Sequence, residues 1–458
     1  MVILLLAGMA YACVDFSQNP IPLAQVSLPG TSLASITPTP TFFSPFTNTP
    51  VPTETPTFTG TPAPTETPVP TITPITPLSL GTPFPTSGKD VVNILLLGAD
   101  YSTSKVSRTD AIIVASIRPG DRMVTLISIP RDLYVSIPGW EMQRINTAYL
   151  HGELSGYPGG GAALVKETIL RNLGVTIDYL AMVNFDGFRQ IIDTLGGVDV
   201  PLACRFTDYR LNSARNDLYL YSVGPGIVHM DGYTALWYAR SRMSSNDFDR
   251  GRRQQEILRA LYTKALQLDI IPQIPTLYQN FQEVVTTDMS LGNVLAMVPL
   301  MVDIKAPRIR SFSISGPLVS SWITPGGGYV LLPNYDGIYR MLEVALGPPA
   351  TEEVDHLRTV VEIWNLTPNS SLEVLAAERL NYAGYQPSLI PPVIQDAKTT
   401  SLYDLTLEQN QEKSRDLLAL FGLSDANLHS EPLGGEVSYR LVLGGDFNPC
   451  FAPFQIER

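Results

Sequence analysis

Cysteine and histidine are scarce in this chain: three cysteines (Cys13, Cys204, Cys450) and four histidines (His151, His229, His356, His429) in 458 residues. The cysteines lie far apart and show no C-x-x-C or Cys/His spacing, so neither a zinc site nor a disulfide framework is signalled. The histidines are isolated as well and read as ordinary surface or core residues, because no second ligand stands at metal-binding spacing. Positive charge is also short: the net charge is −12, and no Lys or Arg occurs before Lys89. A nucleic-acid backbone needs a basic face, so nucleic acid is excluded as the general partner. The apolar run at the start, MVILLLAGMAYACV (residues 1–14), is too short to span a bilayer and lacks a basic flank. It is read as the end of an export or anchor segment, a membrane helix truncated in this sequence, with lipidation at Cys13 the weaker alternative.

What is present is enough apolar residue, 44%, to bury a core, and enough length for two or three domains. Residues 36–86 are Thr-Pro repeats, 31 of 51 positions being Thr or Pro. Proline removes backbone donors and holds the chain extended, so 36–89 is a semi-rigid stalk that places the rest away from a surface, outside the cytoplasm. Residues 1–35 form the partial membrane or export segment and linker.

The globular part opens with VVNILLL (91–97), a continuous apolar run of the kind found in strands buried on both faces. Residues 111–117 and 124–129 predict two more strands, separated by the turn residues Arg118-Pro119-Gly120-Asp121. Charged residues stand at the strand ends: Asp100, then Arg108 and Asp110, then Arg131 and Asp132. If the second strand is antiparallel to its neighbours, these groups gather at one sheet edge, where open α/β sheets bind ligands. Residues 141–161 read as a glycine-rich loop without a Walker or dinucleotide fingerprint. A helix is expected over 162–172, a strand over 179–185, a helix over 186–195 and a strand over 198–200; 201–228 reads as an irregular excursion.

The segment YARSRMSSNDFDRGRRQ (238–254) crowds Arg240, Arg242, Arg250, Arg252 and Arg253 with Asp247 and Asp249 between the end of one predicted helix and the start of the next. Such crowding is self-repulsive unless an anion sits there, and guanidinium forks suit phosphate oxygens. The plainer reading is that Arg240 and Arg242 complement a helix C-terminus and the later arginines form a solvated face. Between Lys89 and Ile270 there are 16 Arg and 4 Lys, an arginine-built positive region inside an acidic protein. Residues 271–350 read as a connecting region packed on the preceding domain. Residues 351–458 read as a small α/β domain without clustered catalytic residue types, suited to binding or scaffolding.

Seven blocks now stand in order: NILLLGAD (93–100), SRTDAI (107–112), SIPRDLYVSIPG (128–139), RINTAYLHG (144–152), FDGFRQIIDTLGGVDV (185–200), HMDGYTALWYARSR (229–242) and DFDRGRRQ (247–254). Residues 90–270 thereby resemble the catalytic domain of the bacterial LytR-CpsA-Psr cell-envelope ligases, and residues 359–446 are similar to the LytR C-terminal domain. The resemblance implies an α-β-α sandwich, a mixed sheet flanked by helices, followed by the small C-terminal α/β domain. It implies a phosphotransferase that moves a glycopolymer phosphate from a polyprenyl pyrophosphate carrier to a sugar hydroxyl of peptidoglycan, working at a membrane surface on the outer side of the cytoplasmic membrane.

By the same resemblance, Asp100 and Asp110 are associated with Mg2+, or Mn2+ in its place, and Arg108 belongs to the same element. Arg131, Arg240, Arg242, Arg250 and Gln254 match the pyrophosphate-binding set, with Arg253 beside them. Asp247 pairs with Arg250 in a D-x-x-R element, and Asp132, Arg144 and Asn146 line the site. Asp132 and Asp247 are the alternatives for the base that takes the acceptor proton, each balanced against a role in orienting an arginine. Departures from the family pattern are Thr109 and Ala111 around Asp110, and RINTAY (144–149), none of which removes a charge. Two rival readings use the same residues: a pyrophosphatase with water as acceptor, and a non-catalytic envelope-binding protein.

Overall fold

The structure is a computed structural model. It describes residues 91–100, 108–212, 215–242, 247–268, 272, 274–391, 397–407 and 410–450. The expected export segment, Cys13 and the Thr-Pro stalk lie outside the described residues, as does the side chain of Asp247.

The first strand, β1 (Val92–Ala99), is buried on both sides because alternate side chains enter two different cores. Ile94 and Leu96 join one apolar cluster, Leu95 and Leu97 the other. β2 (Thr109–Arg118) runs antiparallel to β1, and β3 (Met123–Ser128) antiparallel to β2. The turn between them closes with the Arg122 N–H donating to Pro119 O at 3.1 Å. β4 (Tyr134–Ser136) and β5 (Met142–Arg144) make a short antiparallel ribbon. Helices α1 (Ala148–Ser155) and α2 (Gly160–Leu173) then pack so closely that a Cβ on Gly161 would lie 2.4 Å from Tyr149 O, which explains glycine there. The expected loop over 141–161 is therefore part strand and part helix.

β6 (Tyr179–Asn184) returns beside β1, parallel to it, and α3 (Phe185–Thr194) starts at once, capped by Asn184 accepting from the Gly187 N–H at 2.7 Å. β7 (Val198–Leu202), β8 (Phe206–Asn212), β9 (Asp217–Val223) and β10 (Gly226–Met230) follow. β8 and β9 form a regular hairpin where an irregular stretch is expected. The period of two is hidden in the sequence because the inward face is partly polar: Arg210 lies on the Tyr221 and Tyr233 rings at 4.4 and 4.5 Å.

α4 (Gly232–Arg240) is capped by Asp231 and sits against α3; a Cβ on Gly232 would fall 2.4 Å from Arg189 O. α5 (Asp247–Gln267), α6 (Ile274–Asn280), β11 (Val285–Thr287), α7 (Leu291–Asp303), β12 (Ile309–Ser313), β13 (Val319–Ile323), β14 (Tyr329–Pro333) and α8 (Tyr335–Leu346) complete the first part. The main sheet runs β11-β6-β1-β2-β3-β12 and mixes parallel and antiparallel pairs. Both edge strands come from residues 271–350. Ile257, Leu261, Val294 and Val298 cover one face, and Leu164, Ile169, Ile338 and Leu342 the other, so the expected α-β-α sandwich is observed.

Beyond α9 (Thr351–His356), a second sheet carries its own core. Its elements are β15 (Val360–Asn365), α10 (Ser371–Tyr382), β16 (Gln386–Leu389), β17 (Ser401–Asp404), α11 (Gln411–Phe421), β18 (Leu428–Ser430) and β19 (Tyr439–Leu443), with strand order β16-β15-β19-β17-β18. The buried Arg259 of α5 reaches Glu378 of α10 at 3.0 Å and donates to Ile309 O at 2.9 Å. Cys204 and Cys450 are joined in a disulfide, contrary to the expectation from their spacing. Pairing over 246 positions is decided by how the segment after β7 and the segment after β19 meet in space, which no local pattern encodes.

Candidate functional site

The site forms at one edge of the main sheet, where β1 and β6 end and β2 begins. Between Gly98 and Ala99 the register of β1 against β2 shifts: Gly98 faces Ala111 and Ala99 faces Thr109, leaving Asp110 as the extra residue of a bulge. A bulge re-aims a side chain out of the ladder, and here it frees Asp110 to collect cations. Its Oδ1 accepts from Arg131 Nη1 at 2.7 Å, its Oδ2 lies 3.9 Å from Arg242 Nη2, and its carbonyl accepts from Arg250 Nη2 at 3.4 Å. Three arginines from β3's end, the α4–α5 corner and α5 thus converge on one residue.

Asp132 extends the network. Its side chain is 5% exposed, with Oδ2 3.3 Å from Arg131 Nε and Oδ1 3.1 Å from Arg144 Nη1. With both oxygens committed to guanidiniums, the geometry favours the reading in which Asp132 orients Arg131 and Arg144. Asn146 is buried; its N–H donates to Arg131 O at 3.2 Å, and its Oδ1 has no hydrogen-bond partner among the described residues. Arg108 is exposed ahead of β2 and contributes to lowering the pKa of His151, second to burial.

Arg240, at the last turn of α4, lies 3.8 Å from Asp100 Oδ2, and its guanidinium stacks 3.7 Å from the Phe185 ring centroid. Burial pulls its pKa below the ordinary guanidinium value, opposed by Asp100 and Asp110 and reinforced by Arg242. Gln254 bonds Ala239 O at 3.3 Å and faces the same cavity as Arg250, four residues earlier on α5.

Arg253 does not belong to the site. It is 1% exposed, its Nε donates to Tyr238 O at 2.8 Å, its Nη2 donates to Ser241 O, and it lies on the Phe206 ring. One residue before Gln254 on a helix is roughly 100° of rotation, enough to turn it from the cavity to the α4–α5 corner. It is a structural clamp.

The cavity, about 340 Å³, has two ends. Asp110, Arg240, Arg242, Arg250 and Gln254 supply the charged lining and Val183, Phe185, Phe188, Leu236 and Ala239 an apolar slot, and the two meet where Arg240 lies on the Phe185 ring. The slot residues escape a reading of the sequence because each sits in an amphipathic helix or strand where it passes for core. The signal lies in Phe185 and Phe188, three apart on the first turn of α3, beside a strand already assigned to the core. Asp100 and Asp110 offer hard carboxylate oxygens at neighbouring strand ends, a donor set of the kind Mg2+ takes when phosphate and water complete its shell. Among the described residues no helix is long and apolar enough to cross a membrane.

The chain is similar to the polyisoprenyl-teichoic acid–peptidoglycan teichoic acid transferase TagU of Oceanobacillus iheyensis, 33% identical over 212 residues, 46% of this chain and 62% of that protein. It is 28% identical over 235 residues to the corresponding transferase TagT of Bacillus subtilis, covering 50% of this chain and 69% of TagT. The chain thus spans less than two thirds of the length of the first of these relatives. Among solved structures, B. subtilis TagV aligns over 57% of this chain and 100% of its own, at 29% identity and a TM-score of 0.46. Residues 69–338, more than half of the chain, match the LytR_cpsA_psr family, and the protein belongs to that family.

Proposed function

We propose that the protein is a phosphotransferase that takes a glycopolymer phosphate from a polyprenyl pyrophosphate carrier and joins it to a sugar hydroxyl of peptidoglycan. The observation that carries this reading is the two-ended cavity, in which an apolar slot runs into a cluster of arginines gathered on Asp110. A prenyl chain followed by a pyrophosphate has that same order of apolar and anionic parts. The similarity to transferases named for teichoic acid and peptidoglycan supports the reading.

In the step, the acceptor oxygen forms a bond to the phosphorus that carries the glycan, and the bond from that phosphorus to the bridging oxygen breaks. Polyprenyl phosphate leaves, and the hydroxyl proton is lost to the medium. Charge grows on the bridging oxygen, so catalysis rests on fixed cations aimed at it. Arg240, Arg242 and Arg250 line the cavity where that charge develops, and Arg131 holds Asp110 in place. Asp100 and Asp110 would hold a Mg2+ ion, which neutralises phosphate charge when bound. Asp132 keeps Arg131 and Arg144 in register.

The Cys204–Cys450 disulfide supports a location outside the cytoplasm, since such bonds persist in oxidising compartments. A membrane-surface position follows from the lipid carrier. The test is a product assay with a short-chain polyprenyl pyrophosphate glycopolymer, Mg2+ and soluble peptidoglycan fragments. Glycopolymer attached to the fragment is expected; free glycan phosphate alone means hydrolysis, and no turnover with no carrier binding means an envelope-binding protein.

A further inference from the structure

An in-line displacement at phosphorus places the incoming and leaving oxygens on opposite sides. The sheet order separates an apolar side from a side of linked charges. The apolar slot lies on the β6 side of Asp110, with Val183 on β6 and Phe185 and Phe188 on α3, and the departing polyprenyl phosphate belongs there. On the other side, past β2, the groups that follow β3 form a continuous chain: Asp110 to Arg131 at 2.7 Å, Arg131 to Asp132 at 3.3 Å, Asp132 to Arg144 at 3.1 Å.

Arg144 is the direct cross-strand partner of Tyr134 in the β4–β5 ribbon, so their side chains rise from the same face. Tyr134 meets Trp322 of β13, with ring centroids 5.9 Å apart and planes tilted by 59°. Trp322 is held there by the β13–β14 hairpin. Trp322 is paired with Val330, the next residue Leu331 donates to Asp132 O at 2.9 Å, and Leu331 also bridges to Leu133. The hairpin is tied at its tip by Thr324, whose N–H donates to Gly328 O at 2.9 Å and whose Oγ1 accepts from the Gly328 N–H at 3.0 Å. The same Asp132 that orients two arginines by its carboxylate thus positions an aromatic hairpin by its carbonyl.

Both rings are half-buried, and neither the Trp322 indole N–H nor the Tyr134 hydroxyl hydrogen-bonds to a described residue. Rings of this kind present an apolar face with a polar tip, and such side chains keep that tip for a partner. A pyranose offers the matching surface: a face of C–H groups for the rings and a rim of hydroxyls for the N–H, the phenol and Arg144. A prenyl chain would leave those tips and the guanidinium unmatched.

We propose that Tyr134 and Trp322 form the acceptor subsite, stacking a hexosamine ring of a peptidoglycan glycan strand so that its hydroxyl faces the phosphorus across Arg131 and Asp110. This rests on the transferase reading above. The experiment compares wild type, Trp322→Ala, Trp322→Phe and Tyr134→Leu in the coupling assay with soluble glycan fragments at saturating donor. Affinity for a short-chain polyprenyl pyrophosphate is measured in parallel by titration calorimetry. Trp322→Ala is expected to raise the acceptor KM about tenfold, as loss of one aromatic stack would. Trp322→Phe is expected to recover most of that, and donor affinity to stay at the wild-type value in every variant. An acceptor KM within twofold of wild type in Trp322→Ala and Tyr134→Leu overturns the subsite while leaving the transferase reading intact. So does a Trp322→Phe protein that folds as wild type but fails to recover. A wild-type protein that binds the donor yet never couples it overturns the transferase reading itself.

Discussion

Arg240 and Arg253 stand thirteen positions apart in one arginine-rich stretch, and their different surroundings predict opposite duties, which a paired substitution separates. The Arg240 side chain is 49% exposed, ends a helix, and touches Phe185 and Asp100 at the mouth of the cavity. Replacing it with alanine keeps a good helix former and leaves no buried group unsatisfied, so stability should change by about 0.5 kcal/mol or less. A charge-assisted contact to the developing phosphate charge is worth about 1.5–3 kcal/mol, so kcat/KM should fall by roughly ten- to a hundred-fold. Arg253→Ala does the reverse. It strips hydrogen-bond donors from the carbonyls of Tyr238 and Ser241 and opens a hole beneath Phe206, costing about 2–4 kcal/mol of stability. Thermal unfolding followed by circular dichroism gives the first quantity, and initial rates of glycopolymer coupling give the second. An Arg240→Ala protein with unchanged kcat/KM, or an Arg253→Ala protein as stable as wild type, refutes the division of labour.

Three further outcomes are expected. Coupling by the wild type should rise with added Mg2+ and fall on chelation, and Asp110→Asn should lose most of that response while still unfolding cooperatively; an undiminished Mg2+ dependence removes Asp110 from the metal's shell. Breaking the Cys204–Cys450 bond with Cys204→Ser should lower stability by about 2–5 kcal/mol, read as a lower denaturant midpoint, because the bond closes a long loop. Asp231 caps α4: burial alone would raise its pKa, but hydrogen bonds from Thr234 carry it below the ordinary carboxylate value. Since the folded pKa is lowered, its contribution is full above the unfolded value and fades as pH falls through the folded one. The gap of about 1 kcal/mol between wild type and Asp231→Ala near neutral pH should therefore narrow in acid.

The sandwich was legible because each main strand carries its own signature. The run through Ile94, Leu95, Leu96 and Leu97 can be satisfied only by two cores, and the turn at Pro119-Gly120 sets β2 and β3 antiparallel. Once β2 is antiparallel, Asp110 and Arg131 must share an edge, and they meet at 2.7 Å. Rotation about α5 was less legible: Arg250, Arg253 and Gln254 look alike as a cluster, yet Arg253 turns inward because Phe206 and two carbonyls are waiting there. The β8–β9 hairpin was hidden by a polar inward face, and the disulfide by a separation that only the folded chain closes. The apolar slot was unreadable for a different reason: Phe185, Phe188 and Leu236 differ from core residues only in facing a hollow.

The most direct measurement is titration of the purified protein with a short-chain polyprenyl pyrophosphate by isothermal calorimetry, alongside Arg250→Ala and Phe188→Ser. One site per chain is predicted, with affinity falling as salt rises. Each variant should bind at least about tenfold more weakly, one through the charged end and the other through the slot. Binding that is absent, or equally tight in both variants, contradicts a cavity whose two ends hold the two parts of one lipid carrier.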